Sequence, residues 1–213
     1  MLEEQQESTI SHWWWRPGWS IGKAFYTWHV IPEQPAARGL VAAFASTLAQ
    51  VATMDPVDAA GLHITVQGIG FIDEVAEVDL ERIMKAVRER LAACDPVKIR
   101  IGPPIVDRET IQLPIANPDG LRRVRDDIQD AIASVWGRER VPERGNAFRP
   151  HLTLAYSTGV TSIPGIRRQL VDAGLADIAV EEEVSAVSLI ALNRDHRRYE
   201  WTDIGVAELT SSV

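Results

Sequence analysis

The chain has 213 residues, 46% of them hydrophobic and 24% charged, with a formal net charge of −8. That length and balance suit a soluble globular protein with a sizeable core. The acidity disfavours extended, non-specific binding along a nucleic-acid backbone, where a basic footprint dominates affinity, but leaves open recognition of a nucleotide or one RNA end by a local basic pocket.

Cys94 is the only cysteine, so neither an intrachain disulfide framework nor a thiolate-rich metal site can form. The opening MLEEQQEST has neither the basic start nor the apolar core of a signal peptide. No apolar run approaches the length that spans a bilayer, and the expected location is the cytoplasm.

In chain order, residues 1–20 read as an arm, polar at first and then HWWWRPGW, with Trp13, Trp14, Trp15 and Trp19 close together. KAFYTWHVI (23–31) is rich in aromatic and β-branched residues and stops at Pro32, which predicts a strand. Leu40, Val41, Phe44, Leu48 and Val51 recur at helical spacing over 36–53. LHITVQGIGF (62–71) reads as a strand. A helix over 78–93 follows, with Leu80, Ile83, Met84, Val87 and Leu91 on one face, then a strand at 97–101.

ETIQLPI (109–115) opens the second half as a strand. A helix starts at Asn117, taken as its cap, with an apolar stripe of Leu121, Val124, Ile128, Ile132 and Val135. RPHLTLAY (149–156) is the next strand. SIPGIRRQLVDAGL (162–175) reads as a short helix capped by Ser162. VSAVSLIAL (184–192) and RRYEWTDIGVAEL (197–209) are two strands joined at NRDH.

Each half therefore runs strand, helix, histidine strand, helix, strand. His63 and His151 lie 88 positions apart, and the flanking elements shift by about as much, which points to a duplicated unit. Alternate side chains of a strand point to opposite faces. Ile64 and Val66, like Leu152 and Leu154, would enter the core, while His63 with Thr65 and His151 with Thr153 would look out on the other face. If a pseudo-twofold axis relates the halves, the two pairs meet across one cleft. Two imidazoles there can act as base and acid, and the threonine hydroxyls can donate to an anionic oxygen. Metal-free, proton-shuttled phosphoryl transfer fits that set.

With its two His-x-Thr-hydrophobic motifs, His63-Ile64-Thr65-Val66 and His151-Leu152-Thr153-Leu154, and the Arg149-Pro150 lead-in, the sequence resembles the 2H phosphoesterases. These include RNA 2′-5′ ligase-like proteins and cyclic nucleotide phosphodiesterases. The resemblance covers residues 23–207, and the tryptophan arm with FYTWH is similar to a bacterial RNA 2′-5′ ligase-like branch. It implies an α+β, bilobal fold over residues 21–213, a pseudo-twofold duplicated unit with antiparallel sheets lining a central cleft, helices outside, and lobes that can interleave. It implies His63 and His151 as the acid/base pair and Thr65 and Thr153 as phosphate-binding residues. The expected substrate is a nucleotide or RNA end bearing a cyclic phosphate, or a 2′-5′ linkage formed and cleaved reversibly, with no cofactor. The alternative from another class is an inactive nucleotide- or RNA-end-binding module on the same fold.

Other residues carry weaker signals. Arg149 is best placed of the loop arginines to meet phosphate, and Tyr156 either stacks on a base or packs. For His29 a satisfied, half-buried place is expected, with the cleft wall as the alternative. His196 is expected to be solvated, and no chemical role is assigned to His12. Arg122, Arg123 and Arg125 read as a solvated helix face. None of the five histidines falls at HExxH or H-x-H spacing, and no metal site is expected. The arm is expected to be a hydrophobic strap, with a lid or base-stacking platform as the alternative, and the protein a monomer or weak dimer.

Overall fold

Alternating apolar positions fix which strand faces turn inward, and the computed structural model, described over residues 7–145 and 147–210, builds three antiparallel sheets from them. Strands β1 (Phe25–Val30), β3 (Ile64–Phe71), β9 (Ala186–Asn193) and β10 (Glu200–Glu208) form one, in the order β10-β9-β1-β3. The second, β2-β7-β6-β5, comprises β2 (Met54–Pro56), β7 (His151–Ser157), β6 (Thr110–Pro114) and β5 (Ile105–Val106). A two-stranded sheet pairs β4 (Val97–Ile101) with β8 (Val180–Val184).

Both main sheets draw strands from both halves of the chain, so the halves interleave. In each half the histidine strand pairs with the strand that opens that half, β3 with β1 and β7 with β6. Helices α2 (Glu77–Leu91) and α3 (Asp119–Trp136) pack on each other and reach β10 and β3. α1 (Pro35–Leu48) lies against β2, β7 and β8, and α4 (Ile163–Asp172) against β5. Ile64, Val66, Leu152 and Leu154 are all buried in the continuous core, as the alternation predicts. The result is the mixed α+β class expected.

Several local expectations shift, each for a visible reason. The helix predicted over 36–53 ends at Leu48, because the chain turns and Met54 pairs with Ser157 as β2. Asn117 does not cap α3: its Oδ1 accepts from Arg100 N (2.7 Å) and its Nδ2 donates to Lys98 O (3.0 Å), tying the turn to β4 instead. Ser162 does cap α4, accepting from Gly165 N at 3.2 Å.

β8 lies in an acidic run, VEEEV, whose charges mask its pattern. Glu181 and Glu183 stand opposite Arg100 and Lys98, a favourable cross-strand arrangement. Glu182 points inward, and its Oε1 accepts the backbone N–H groups of Glu33 and Gln34 at the start of α1. A carboxylate there satisfies donors that a helix N-terminus leaves unpaired.

Candidate active site

His63 stands just before β3 and His151 opens β7, and these strands come from different sheets that approach each other without hydrogen-bonding. A cavity of about 150 Å³ between them is lined by His63, Thr65, His151 and Thr153, with Thr110, Leu192, Tyr156, His12 and Tyr199. Both motifs thus face one space. A water occupies about 30 Å³ of liquid, so this volume suits a phosphate-sized group.

Each motif histidine is held the same way. His63 Nδ1 lies 2.8 Å from Gly61 O and His151 Nδ1 lies 2.9 Å from Arg149 O, in both cases the carbonyl two residues earlier. A carbonyl only accepts, so each Nδ1 carries the proton and each Nε2 is left for other work. Burial pushes His63 down to about 4; the Gly61 carbonyl opposes this and the nearby His151 adds to it. His63 is therefore a neutral imidazole with a free lone pair at neutral pH.

Behind this pair lies His29, fully buried on β1 opposite Thr65. It neither touches the cavity nor lies half-buried. Its Nε2 is 3.2 Å from Thr65 Oγ1, its ring stacks on His63, and its Nδ1 has no partner. Burial, then the adjacent His63, holds it well below the ordinary histidine range. Donation from Nε2–H to Thr65 leaves a bare buried lone pair on Nδ1, whereas the other tautomer strands a buried N–H, the rarer and costlier defect. The hydroxyl proton of Thr65 is then free to point elsewhere.

Arg149 is exposed and is tied into the site by its carbonyl rather than its guanidinium. Tyr156 is buried, lines the cavity and packs at a tilt against His12, with ring centroids 4.5 Å apart. His196 is exposed and pairs with Glu200 at 2.8 Å.

Arg125 departs from the solvated face assigned to its helix. It is buried, lies over the Phe148 ring, and donates to the carbonyls of Glu143 and Gly145. Gln67 of β3 holds the same loop by donating to Pro142 O at 2.9 Å, and Glu143 accepts from Gly68 N at 3.2 Å. A side chain at Gly68 would crowd Phe25 and Glu143, so glycine permits this approach. Together these contacts anchor the loop that delivers His151.

The arm is where sequence reasoning missed most. Its backbone is bound to the second sheet's end through Ile10 N→Arg108 O (2.8 Å) and His12 N→Ser157 O (2.7 Å). Buried Arg194, in the NRDH turn, donates to the carbonyls of His12 and Trp14. His12 is buried in the cavity wall, between Glu109 (Nδ1 to Oε2, 3.0 Å) and Tyr199 (Nε2 to Oη, 2.9 Å). Trp13 and Tyr199 pass into a larger adjoining groove of about 810 Å³ that also meets Tyr156, Arg197, Arg198 and Trp201. That size lies in the range of small-molecule sites. Over its described residues the arm is strapped down by its backbone rather than by buried indoles, since Trp14 and Trp15 are exposed, and it also carries a histidine into the cavity wall. Only the odd polar residue beside a tryptophan run hinted at this.

Among the described residues, no group of three or more His, Cys, Asp or Glu side chains is arranged to hold a metal ion. Also among them, no helix is long and apolar enough to cross a membrane.

An α+β fold that brings two histidine strands to one cavity defines a two-histidine cleft protein. The chain belongs to the 2′-5′ RNA ligase superfamily, the 2H phosphoesterases, whose family model matches residues 32–196. Solved structures agree in fold. The structure of TT0787 of Thermus thermophilus superposes with a TM-score of 0.68 at 17% identity, covering 89% of this chain and all of that one. E. coli LigT complexed with NADP+ gives 0.59 at 15%, covering 88% and 99%. The LigT complex with 3′-AMP gives 0.58 at 15%, covering 88% and 98%. No curated protein matches the sequence.

Proposed function

We propose that the protein is a metal-independent phosphoesterase acting on a cyclic phosphodiester, a 2′,3′-cyclic nucleotide or RNA end, with reversible handling of 2′-5′ linkages as the related chemistry. The supporting observation is the matched pair of imidazoles, each with Nδ1–H committed to a backbone carbonyl. In hydrolysis His63 takes a proton from water at Nε2 as oxygen attacks phosphorus. The P–O bond to one ribose oxygen breaks, and His151, which must enter this step as the imidazolium with a second proton on Nε2, gives that proton to the oxygen. Thr65 and Thr153 donate to the non-bridging oxygens, where charge accumulates. In the reverse direction the two histidines exchange roles. The nucleoside rests in the larger groove beyond Tyr156 and Tyr199; nucleotide complexes of LigT support a ligand of that class.

The test is turnover, with products identified by mass, of 2′,3′-cyclic nucleotides, cyclic-phosphate RNA ends, 2′-5′ oligoadenylates and ADP-ribose cyclic phosphate. Cyclic-phosphate opening is expected in the wild type, unaffected by EDTA. His63→Ala and His151→Ala are each expected to fall by at least about a hundredfold while remaining folded. Full activity in His151→Ala overturns the assignment. Nucleotide binding with no turnover of any substrate identifies a binding module instead.

A further inference from the structure

The arm residue His12 has no part in the two-motif chemistry, yet it is buried in the wall of the same cavity. Its surroundings fix its hydrogen. The Glu109 carboxylate accepts from Trp14 Nε1 (3.0 Å) and Arg16 Nη2 (2.5 Å), and His12 Nδ1 lies 3.0 Å from its Oε2. Burial alone would raise this carboxyl, but the Trp14 and Arg16 donors outweigh it and hold Glu109 below the usual range. Arg16 Nη2 also comes within 3.4 Å of His12 Nδ1, but the ionised Glu109 carboxylate is nearer, at 3.0 Å, and only accepts, so Nδ1 carries the proton. Burial, with Arg16 next, pushes His12 itself down to about 4. The ring is neutral, and its Nε2 offers only a lone pair.

The partner of that lone pair is Tyr199, 2.9 Å away. The phenol must donate its one O–H to His12, and burial, which raises its pKa, keeps that proton in place. Toward the cavity Tyr199 presents only oxygen lone pairs. An acceptor repels a phosphate oxygen and suits a hydroxyl. Tyr199 and His63 line the same cavity, their rings nearly perpendicular with centroids 5.8 Å apart.

We propose that Tyr199, its proton held by the Glu109–His12 pair, accepts a hydrogen bond from the hydroxyl that attacks or leaves phosphorus beside His63. In hydrolysis, water gives one hydrogen to His63 Nε2 and directs its other O–H at Tyr199, which turns an oxygen lone pair toward phosphorus. The new P–O bond forms, the ring P–O bond breaks, the leaving ribose oxygen takes the Nε2 proton of the His151 imidazolium, and Tyr199 keeps its own proton throughout. Tyr199 touches the nucleophile; His12 and Glu109 are positioning residues that act through it. The arm is thereby a working part of the site. This rests on the phosphoesterase reading above.

The experiment is a kinetic cycle on a 2′,3′-cyclic nucleotide with Tyr199→Phe, His12→Leu, the double variant and His12→Gln. Misplaced reacting groups cost up to about a hundredfold, so Tyr199→Phe and His12→Leu are each expected to lose about tenfold to a hundredfold in kcat, with KM little changed. The double variant should be no worse than either single one, since both remove one interaction. His12→Gln keeps a donor for Glu109 and an acceptor for Tyr199, and should recover most of the loss. Nitrogen-15 spectra of the folded wild type should show His12 protonated at Nδ1. Full kcat in Tyr199→Phe, multiplying losses in the double variant, or an Nε2–H tautomer overturns the proposal while leaving the two-histidine reading intact. A wild type inactive on every cyclic phosphate overturns both.

Discussion

His29 lies face to face on His63, ring centroids 4.5 Å apart and planes 6° from parallel, while its Nε2 reaches Thr65 at 3.2 Å. One fully buried side chain thus backs two residues of the first motif. His29→Phe keeps an aromatic ring in the stack and removes the hydrogen bond to Thr65. Removing a donor to developing charge costs about a hundredfold or more, so loss of its orienting partner is expected to cost less, about tenfold in kcat. Steady-state kinetics on a 2′,3′-cyclic nucleotide check this; an unchanged kcat would show that Thr65 needs no support.

The same stack bears on the pH profile. Burial holds His63 at about 4 rather than the ordinary 6.5, so its protonation should place an acid limb of kcat/KM near pH 4. His29→Ala opens the back of the ring to water, weakens that burial effect and moves the limb upward. A His63-dependent limb already near 6.5 in the wild type would contradict the burial argument.

Folding stability has its own acid dependence. His12, His29 and His63 are all held below 6.5 in the folded protein. Above 6.5 these groups are neutral in both folded and unfolded chains, and stability is at its full value. As pH falls below 6.5 the unfolded chain binds protons that the folded one refuses, so stability is lost until the folded histidines themselves protonate, near 4 for His12 and His63. Urea midpoints should drop between about pH 7 and about pH 5, and His12→Gln should flatten the drop by one proton's share. An equally steep drop in that variant would remove His12 from the account.

Arg125 anchors the loop that delivers His151 by donating to the carbonyls of Glu143 and Gly145. Arg125→Ala strands those carbonyls and should destabilise the protein by about 1–3 kcal/mol, with kcat/KM falling as well. Exposed Arg122→Ala on the same helix should stay within about 0.5 kcal/mol. Thermal melts of the two variants, run side by side, decide the matter.

Deleting residues 1–20 removes the backbone strap and with it His12 and Trp13. The melting temperature and turnover should fall together, whereas a lid would leave the fold intact and change substrate preference alone.

Much of the fold was legible because its signals are local. The period-two alternation of HITV and HLTL assigned Ile64, Val66, Leu152 and Leu154 to the core, and the cap at Ser162 needed only its neighbours. β8 was not legible, because Glu181 and Glu183 make sense only opposite Arg100 and Lys98 across the sheet. Arg125 likewise sat where helical spacing suggested solvent, and a distant loop covers it.

By itself the sequence determined the two motifs and the faces their residues take, since backbone geometry sets side-chain alternation regardless of what lies beyond the strand. Only the tertiary structure decided what surrounds them: His29 behind His63, Arg125 beneath the loop, and His12 brought from the arm to meet Glu109 and Tyr199. Those partners lie 18 to 187 positions apart in the chain. Their proton states follow from burial and from the charges packed beside them, which no local pattern encodes.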